Sequence, residues 1–299
     1  MLGRWRNPAA DRVRPLRGED REAALELCAT DPVGNVLAAV QIEQLGRRRM
    51  PGAEVLGVFR DGTLRALYWS GANLVPVAVD TPDLLDTVSS DIRSRARRAS
   101  SIVGPAEQVL GLWERLGPGW MRPREVRDDQ PSMAISTSPA IAPDPRVRLS
   151  RLDELDVVVP ACVAMFTEEV GYSPLASGGA YAARVHELVS TGRSYVWIED
   201  TPEGRRVIFK AEVGACALGV AQIQGVWVHP EHRGQGLAAP AMAAVVEDVR
   251  DRIAPTVSLY VNGYNTAAVA TYRRAGFEER QAFALTATAL STILGRGPQ

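Results

Sequence analysis

The chain has 299 residues, of which 46% are apolar, and its formal net charge is −1. That length allows two ordinary domains, and the balanced charge excludes a global electrostatic pull toward nucleic acid or a membrane surface. Cys28, Cys162 and Cys216 are widely spaced, odd in number and without a CxxC pair, which argues against a disulfide framework or a zinc knuckle. The opening MLGRWRNPAAD carries no apolar stretch of the signal-peptide kind, and no uninterrupted 18-residue apolar run occurs. A soluble, reducing, cytoplasmic setting is expected, with no nucleic-acid or membrane partner. Arginine dominates the basic residues, and Lys210 is the only lysine.

In chain order, RVRPLRGEDREAALELC (Arg12 to Cys28) reads as a short basic strand, an acidic turn and an apolar helix. VLGVFRDGTLRALYWSG predicts a hairpin around Asp61 and Gly62. NLVPVAV is a strand, PDLLDTVSSDIRSRARR a helix and SSIVG a strand. RSRARR (Arg93 to Arg98) reads as a basic helix face turned to solvent, or else as a contact for an acidic partner. LWERLGPGW is a helix stopped by glycine, with an aromatic opening the next strand. STSPAIAPDP (Ser136 to Pro145), with three prolines, reads as a linker. Beyond it RVRLSRLDELDVVVPAC (Arg146 to Cys162) repeats the opening pattern. SYVWIED and RRVIFKAEV form a hairpin across TPEG, and VAQIQGVWV is a longer strand. A glycine junction leads to a helix from Leu237 to about Arg252. TVSLYVN is a strand, NTAAVATYRRAG a helix and FALTATAL a last strand. TYRRAGF echoes LWERLGPGW. Two echoes in the same order imply a tandem duplication. The expected fold is α/β, a mixed and mainly antiparallel sheet flanked by helices, with domains at 1–135 and 146–299 and a linker at 136–145.

The junction VWVHPEHRGQGLAAP (Val226 to Pro240) carries the most chemistry. A helix N-terminus leaves about four backbone N–H groups unpaired and concentrates partial positive charge there. Gly234 and Gly236 let that backbone approach an anion closely, and Arg233 adds a full charge. The stretch is neither G-x-x-x-x-G-K-[ST] nor G-x-G-x-x-G, so it matches neither a P-loop nor a dinucleotide fingerprint.

The pattern V-x-V-x-P-x-x-R-G-x-G-L-A resembles the acetyl-CoA signature of the GNAT N-acetyltransferase superfamily, with Arg233, Gly236 and Ala238 in its three defining places. Downstream, Asn265, Ala268, Tyr272, Gly276 and Phe277 match the family's N-x-x-A-x-x-x-Y-x-x-x-G-F. The resemblance covers roughly residues 146–299. It implies that backbone from Arg233 through Gly234, Gln235, Gly236, Leu237 and Ala238 to Ala239 cradles the CoA diphosphate. It also implies that Val226, Trp227 and Val228 pair with the pantetheine arm beside a strand bulged at Gly225, and that Asn265 caps the following helix. Tyr272 is then the acid toward the departing sulfur. For the base, Glu212 is favoured, with Glu168 and Glu169 in a substrate-facing loop. Gln222 and Gln224, two apart on one strand, share a face that either lines the cleft or sits under a helix.

These residues imply an acetyl-CoA-dependent N-acetyltransferase whose acceptor is an amine of a small molecule or a protein. The alternative is a non-catalytic acetyl-CoA-binding sensor. With three histidines in the chain and no cysteine near His229 and His232, no metal site is expected. The first half lacks the glycine signature. DTPDLLD stands in its place, where Asp80 and Asp83 repel a phosphate, and Trp113 stands where the second half has Tyr272. It is therefore expected to be a degenerate GNAT-like domain.

Overall fold

The computed structural model describes residues 11–47, 52–95, 99–120, 123–177 and 179–288. The first part of the chain runs β1 (Arg12–Pro15), α1 (Arg21–Cys28), α2 (Pro32–Ile42), β2 (Glu54–Arg60), β3 (Thr63–Ser70), β4 (Asn73–Val77), α3 (Pro82–Ser94), β5 (Ser101–Pro105), α4 (Ala106–Leu116) and β6 (Pro123–Ile135). It continues with β7 (Arg148–Leu149), α5 (Leu155–Val170), α6 (Ala180–Ser190), β8 (Ser194–Thr201), β9 (Gly204–Ala217), β10 (Val220–Val228), α7 (Ala238–Arg252), β11 (Thr256–Tyr260), α8 (Thr266–Ala275) and β12 (Glu278–Thr288). Helices α2 and α6 were not read from the sequence. No helix among the described residues is long and apolar enough to cross a membrane.

Local chemistry accounts for the turns. Asp61 and Gly62 take φ of 52° and 79°, the paired positive values of a two-residue hairpin turn, and join β2 to β3. Thr201 and Gly204 close the β8–β9 hairpin. Asp31 caps α2 by accepting from the Gly34 N–H at 2.9 Å, and Pro32 fills the first helical position, where its missing donor costs nothing. Gly276, at φ 106°, ends α8 in the left-handed conformation that favours glycine.

The chain forms two compact units, one of residues up to Pro131 with those from Gln281, the other Ser132–Arg280. In the first unit the strands lie in the order β1-β2-β3-β4-β5-β12, antiparallel throughout except for β4 and β5. In the second the order from the other edge is β7-β8-β9-β10-β11-β6, with β10 and β11 the one parallel pair. The same ladder thus occurs twice. The opening echo also repeats in detail. Arg14 grips Asp20 at 2.7 and 2.8 Å, and Asp20 accepts from the Arg17 N–H at 2.8 Å. Arg148 grips Glu154 at 2.6 and 2.9 Å, and Glu154 accepts from the Arg151 N–H at 2.9 Å. Each arrangement ties a first strand to the turn that starts its helix.

Two expectations need correction. The part of FALTATAL within the described residues, up to Thr288, is strand, but it does not stay with the half it follows. Phe283–Ala287 pair with Pro105–Ser101 of β5, and Gln281 donates to Asp31 at 2.5 Å. Of RSRARR, Arg93 and Ser94 end α3, Arg95 leaves the helix and turns back onto Asp91 at 2.6 Å, and residues 96–98 lie outside the described residues. Residues 136–145 are irregular, and they are tied down by Ala140 N–H to the Ala275 carbonyl and Asp144 N–H to the Pro240 carbonyl, both at 3.0 Å.

Phe283 is 1% exposed and has its ladder partner in β5. Phe283→Ala is expected to cost about 3–5 kcal/mol in urea unfolding of the first unit, against less than about 0.5 kcal/mol for exposed Arg280→Ala.

Candidate active site

Strand β10 departs from regular pairing in two ways. On one side it pairs with β11 only at Val220, Ala221 and Gln222, although β10 runs on to Val228 and β11 to Tyr260. The two strands therefore part beyond Gln222. On the other side, Gln224 faces Glu212 and Trp227 faces Lys210 of β9, so β10 spends three steps where β9 spends two. The extra residue is a β-bulge, and Gly225 within it takes φ 61°. Trp227 packs with the α5–α6 face, while Val226 and Val228 lie against the core under α7 and α8.

The chain then makes a short 3-10 turn (Pro230–His232) and a loop into α7. Gly234 and Gly236 both have φ 75°, and a Cβ on Gly234 meets nothing within 4 Å. Among the described residues nothing accepts the N–H groups of Gly234, Gln235, Gly236, Leu237, Ala238 or Ala239. Pro240 contributes no donor. Six open amides in the loop and first turn of α7, near the positive end of the helix dipole, are an arrangement that suits an anion. Arg274 of α8 brings Nη1 to 3.7 Å from where a Cβ on Gly236 would stand. The sequence reading missed this arginine, whose only signal was its place in YRRAGF.

Arg233 does not point its charge into the loop. Its Nε donates to the Val228 carbonyl at 3.0 Å and its Nη2 meets Glu168 Oε2 at 2.6 Å. Glu168 also accepts from the Trp227 indole at 3.3 Å. Glu168, expected to face substrate, is therefore a clasp between the end of α5 and the end of β10. Gln235 turns its amide onto the Glu231 carbonyl, and Asn265 spends its side-chain oxygen as the α8 cap on the Ala268 N–H at 3.1 Å.

Tyr272 lies on the inner face of α8, 7% exposed and edge-on to Phe277. Burial, and then the charge on Glu169, hold its phenol above the ordinary tyrosine range. Glu169 also acts on Tyr181, whose hydroxyl donates to the Cys162 carbonyl at 3.0 Å and whose phenol is raised by burial and then by Cys162, Glu212 and Glu169. Tyr272, Glu169 and Tyr181 thus share one electrostatic neighbourhood.

Glu212 does not have the expected freedom of a base. It is buried, its Oε1 takes Lys210 Nζ at 2.8 Å and the Cys162 thiol at 3.2 Å, and Lys210 is fully buried. Gln222 and Gln224 divide: Gln222 is buried at 4% exposure, while exposed Gln224 lays its carboxamide over Gly214, whose added Cβ would meet it at 2.2 Å. His229, Glu231 and His232 bring ligand atoms within 4.8 Å of one another, but Glu231 is already held by Arg206 at 2.6 Å. Burial, and then the Arg206 charge, lower the His229 pKa.

The matching corner of the first unit is closed. The Val79 N–H donates to Gln108 Oε1 at 3.0 Å, Thr81 caps α3 on the Leu84 N–H, and Asp80 and Asp83 stand exposed beside it. Trp113 of α4 packs edge-on to Trp120, as Tyr272 does to Phe277.

Comparison with known proteins adds the following. A family model described as Acetyltransferase (GNAT) family matches residues 178–277 and bears out the resemblance read from the two motifs; one described as Domain of unknown function (DUF4081) matches residues 53–158. A protein of Kytococcus sedentarius named mycothiol acetyltransferase is 41% identical over 81 residues, 27% of this chain and 27% of its own. The chain thus spans about a quarter of the length of the curated relatives it matches. An acetyltransferase from the GNAT family from Colwellia psychrerythraea is 13% identical with TM-score 0.56, covering 93% of this chain and 99% of its own. A tandem GNAT protein from the clavulanic acid biosynthesis pathway is 13% identical with TM-score 0.50, covering 94% and 100%. At such identities the likeness concerns the fold, a tandem of GNAT-like mixed α/β domains.

The cluster around Glu212 has a direct chemical readout. Burial pushes both the Cys28 and the Cys162 thiols up to about 12, so at about pH 8 roughly one molecule in 10⁴ is thiolate at either position. Cys216 is only half-buried. Titration of the native protein with a thiol reagent is expected to find at most one reactive group, Cys216, and all three in denaturant. Reaction at Cys162 in the native state would place it outside the cluster.

Proposed function

We propose that the second unit is an acetyl-CoA-dependent N-acetyltransferase that passes the acetyl group directly from the thioester to a primary amine. The observation that carries this reading is the run of six open amides from Gly234 to Ala239. Their number and direction suit a diphosphate, with Arg274 as an added cation at the loop. The unpaired edge of β10 beyond Gln222 suits the amide groups of a pantetheine arm, which would add to it as a strand does. A main-chain N–H near Val226 or Val228 then polarises the acetyl carbonyl. The match of residues 178–277 to the GNAT model supports the reaction class.

The chemistry needs a proton removed from the amine and one delivered to sulfur. A lysine-type amine is mostly protonated at neutral pH, so a base is required. Glu169, close enough for its charge to act on Tyr272, takes that proton directly or through water. The amine nitrogen bonds to the carbonyl carbon, the carbon–sulfur bond breaks, and Tyr272 gives its proton to the departing thiolate. Lys210 and Arg233 hold Glu212 and Glu168, and this supports neither of them as the base. The name shared by the curated relatives, mycothiol acetyltransferase, favours a small-molecule acceptor. The first unit, whose matching corner has the Val79 and Leu84 amides taken, is read as the degenerate copy.

Calorimetry with acetyl-CoA and a thiol-release assay across an amine panel test the reading. Tight binding without turnover on any amine identifies a sensor instead. Gly236→Glu is expected to abolish acetyl-CoA binding in a folded protein, because it puts a side chain and a negative charge into the cradle at a left-handed position. Tyr272→Phe is expected to lower kcat about 100-fold and change KM little. Because burial and Glu169 keep Tyr272 protonated, the wild-type rate should show no decline from its ionisation between about pH 6 and 9.

A further inference from the structure

The one lysine of the chain is the most buried charge among the described residues. The sequence holds 34 lysines and arginines together, and Lys210 alone is lysine. It is 0% exposed, in the strand facing the bulge. A bulge removes a backbone carbonyl from the ladder, and a buried carbonyl needs a donor. Lys210 Nζ supplies it, donating to the Gly225 carbonyl at 2.9 Å and to Glu212 Oε1 at 2.8 Å, with Cys162 as a further partner. Burial works against the charge, but Glu212 and Cys162 outweigh it and the ammonium is favoured. An added Cβ on Gly225 would stand 3.0 Å from Nζ, 3.2 Å from Glu212 Oε2 and 3.3 Å from the Met165 methyl, a tight fit at a left-handed position that already favours glycine.

We propose that Lys210 is a positioning residue of the acetyl-transfer site: its ammonium holds the Gly225 carbonyl inward, and so fixes the bulge that turns the main chain from Val226 toward the acyl group. The inference rests on the acetyltransferase reading above. A buried ion pair is weak evidence for stability, since an apolar pair of similar volume often does as well. The choice of residue points the same way. A planar guanidinium is too large and too flat to reach a carbonyl, a carboxylate and a thiol from one point, whereas three tetrahedral donors on a compact ammonium do so. Glu212 in turn neutralises Lys210 and orients it, and neither residue touches the reacting atoms.

The test has two arms. The near-isosteric, charge-neutral pair Lys210→Met with Glu212→Gln is expected to fold, as judged by circular dichroism and a cooperative thermal transition. It should bind acetyl-CoA within about 3-fold of wild type, because the diphosphate loop is untouched, and lose about 100-fold in kcat, the scale of a displaced oxyanion donor. Unchanged kcat overturns the proposal, as does a loss confined to KM. The second arm needs no variant. Protein labelled with ¹⁵N at lysine Nζ yields one ammonium resonance, expected to exchange slowly with water and to shift when acetyl-CoA saturates the protein. A signal that exchanges as fast as an exposed lysine, or that ignores acetyl-CoA, overturns the proposal. If wild type binds acetyl-CoA and turns over while the pair variant matches it, the Lys210 role alone falls; if wild type does neither, both readings fall.

Discussion

A strand that loses its neighbour partway leaves backbone donors and acceptors that something must satisfy. That is the situation of β10 beyond Gln222, and the candidate site is arranged around it. The parting creates an edge inside a unit rather than at its rim. The bulge at Gly225 bends the same strand and re-aims its end. The loop that follows starts α7 with its amides open, so the helix dipole and the unpaired strand edge address one region. Each feature alone is common. Their succession within Gln222 to Ala239 is what supports the proposed place for an extended ligand with an anionic end.

Charge follows a division of labour. Among the described residues, most arginines pair with carboxylates at or near the surface, as Arg205 does with Asp156 and Arg184 with Glu187. Such pairs contribute about 0–1 kcal/mol each and are screened by salt. The Lys210–Glu212 pair is different in kind: both partners are buried and both have further hydrogen-bonding neighbours. Breaking one side of such a pair leaves an uncompensated buried charge and costs about 3–5 kcal/mol. The Arg233–Glu168 contact lies between these cases. It is exposed, but it ties the last turn of α5 to the chain leaving β10.

Two copies of one ladder have diverged at the corner that matters for chemistry. Both units carry four antiparallel steps and one parallel step, and both start with an arginine gripping the acidic residue of the first turn. In the second unit the turn after the fourth strand is opened by two left-handed glycines. In the first, Gln108 occupies the Val79 amide, Thr81 caps the helix, and two aspartates reinforce the exclusion of an anion. Backbone topology and the apolar cores survived this divergence because they depend on pattern, which tolerates many sequences. An anion cradle depends on particular amides being left empty.

Much of the fold was legible in the chain. Alternation marked β8, β9 and β10, Asp61–Gly62 marked a hairpin, and Asn265 with Gly276 bracketed α8, because each is a local consequence of side-chain geometry. The glycine loop was legible for the same reason: glycines at 234 and 236 announce a backbone that other residues do not adopt. Helix α2 was missed because its apolar residues cover more than one stripe, whereas α6, with Val185, Leu188 and Val189 on one face, carried a helical pattern that went unread. The placement of β12 was missed because pairing partners are chosen by distant residues, here Ser101–Pro105, and leave no local trace. The roles of Glu212, Glu168 and Gln224 likewise depended on what lay across the sheet from them. Sequence alone determined which segments form strands, helices and an open loop, since those follow from forces acting over a few residues. Tertiary structure alone decided which carboxylates are spent on cations and why the single lysine is inside, since those outcomes are set by contacts between elements far apart in the chain.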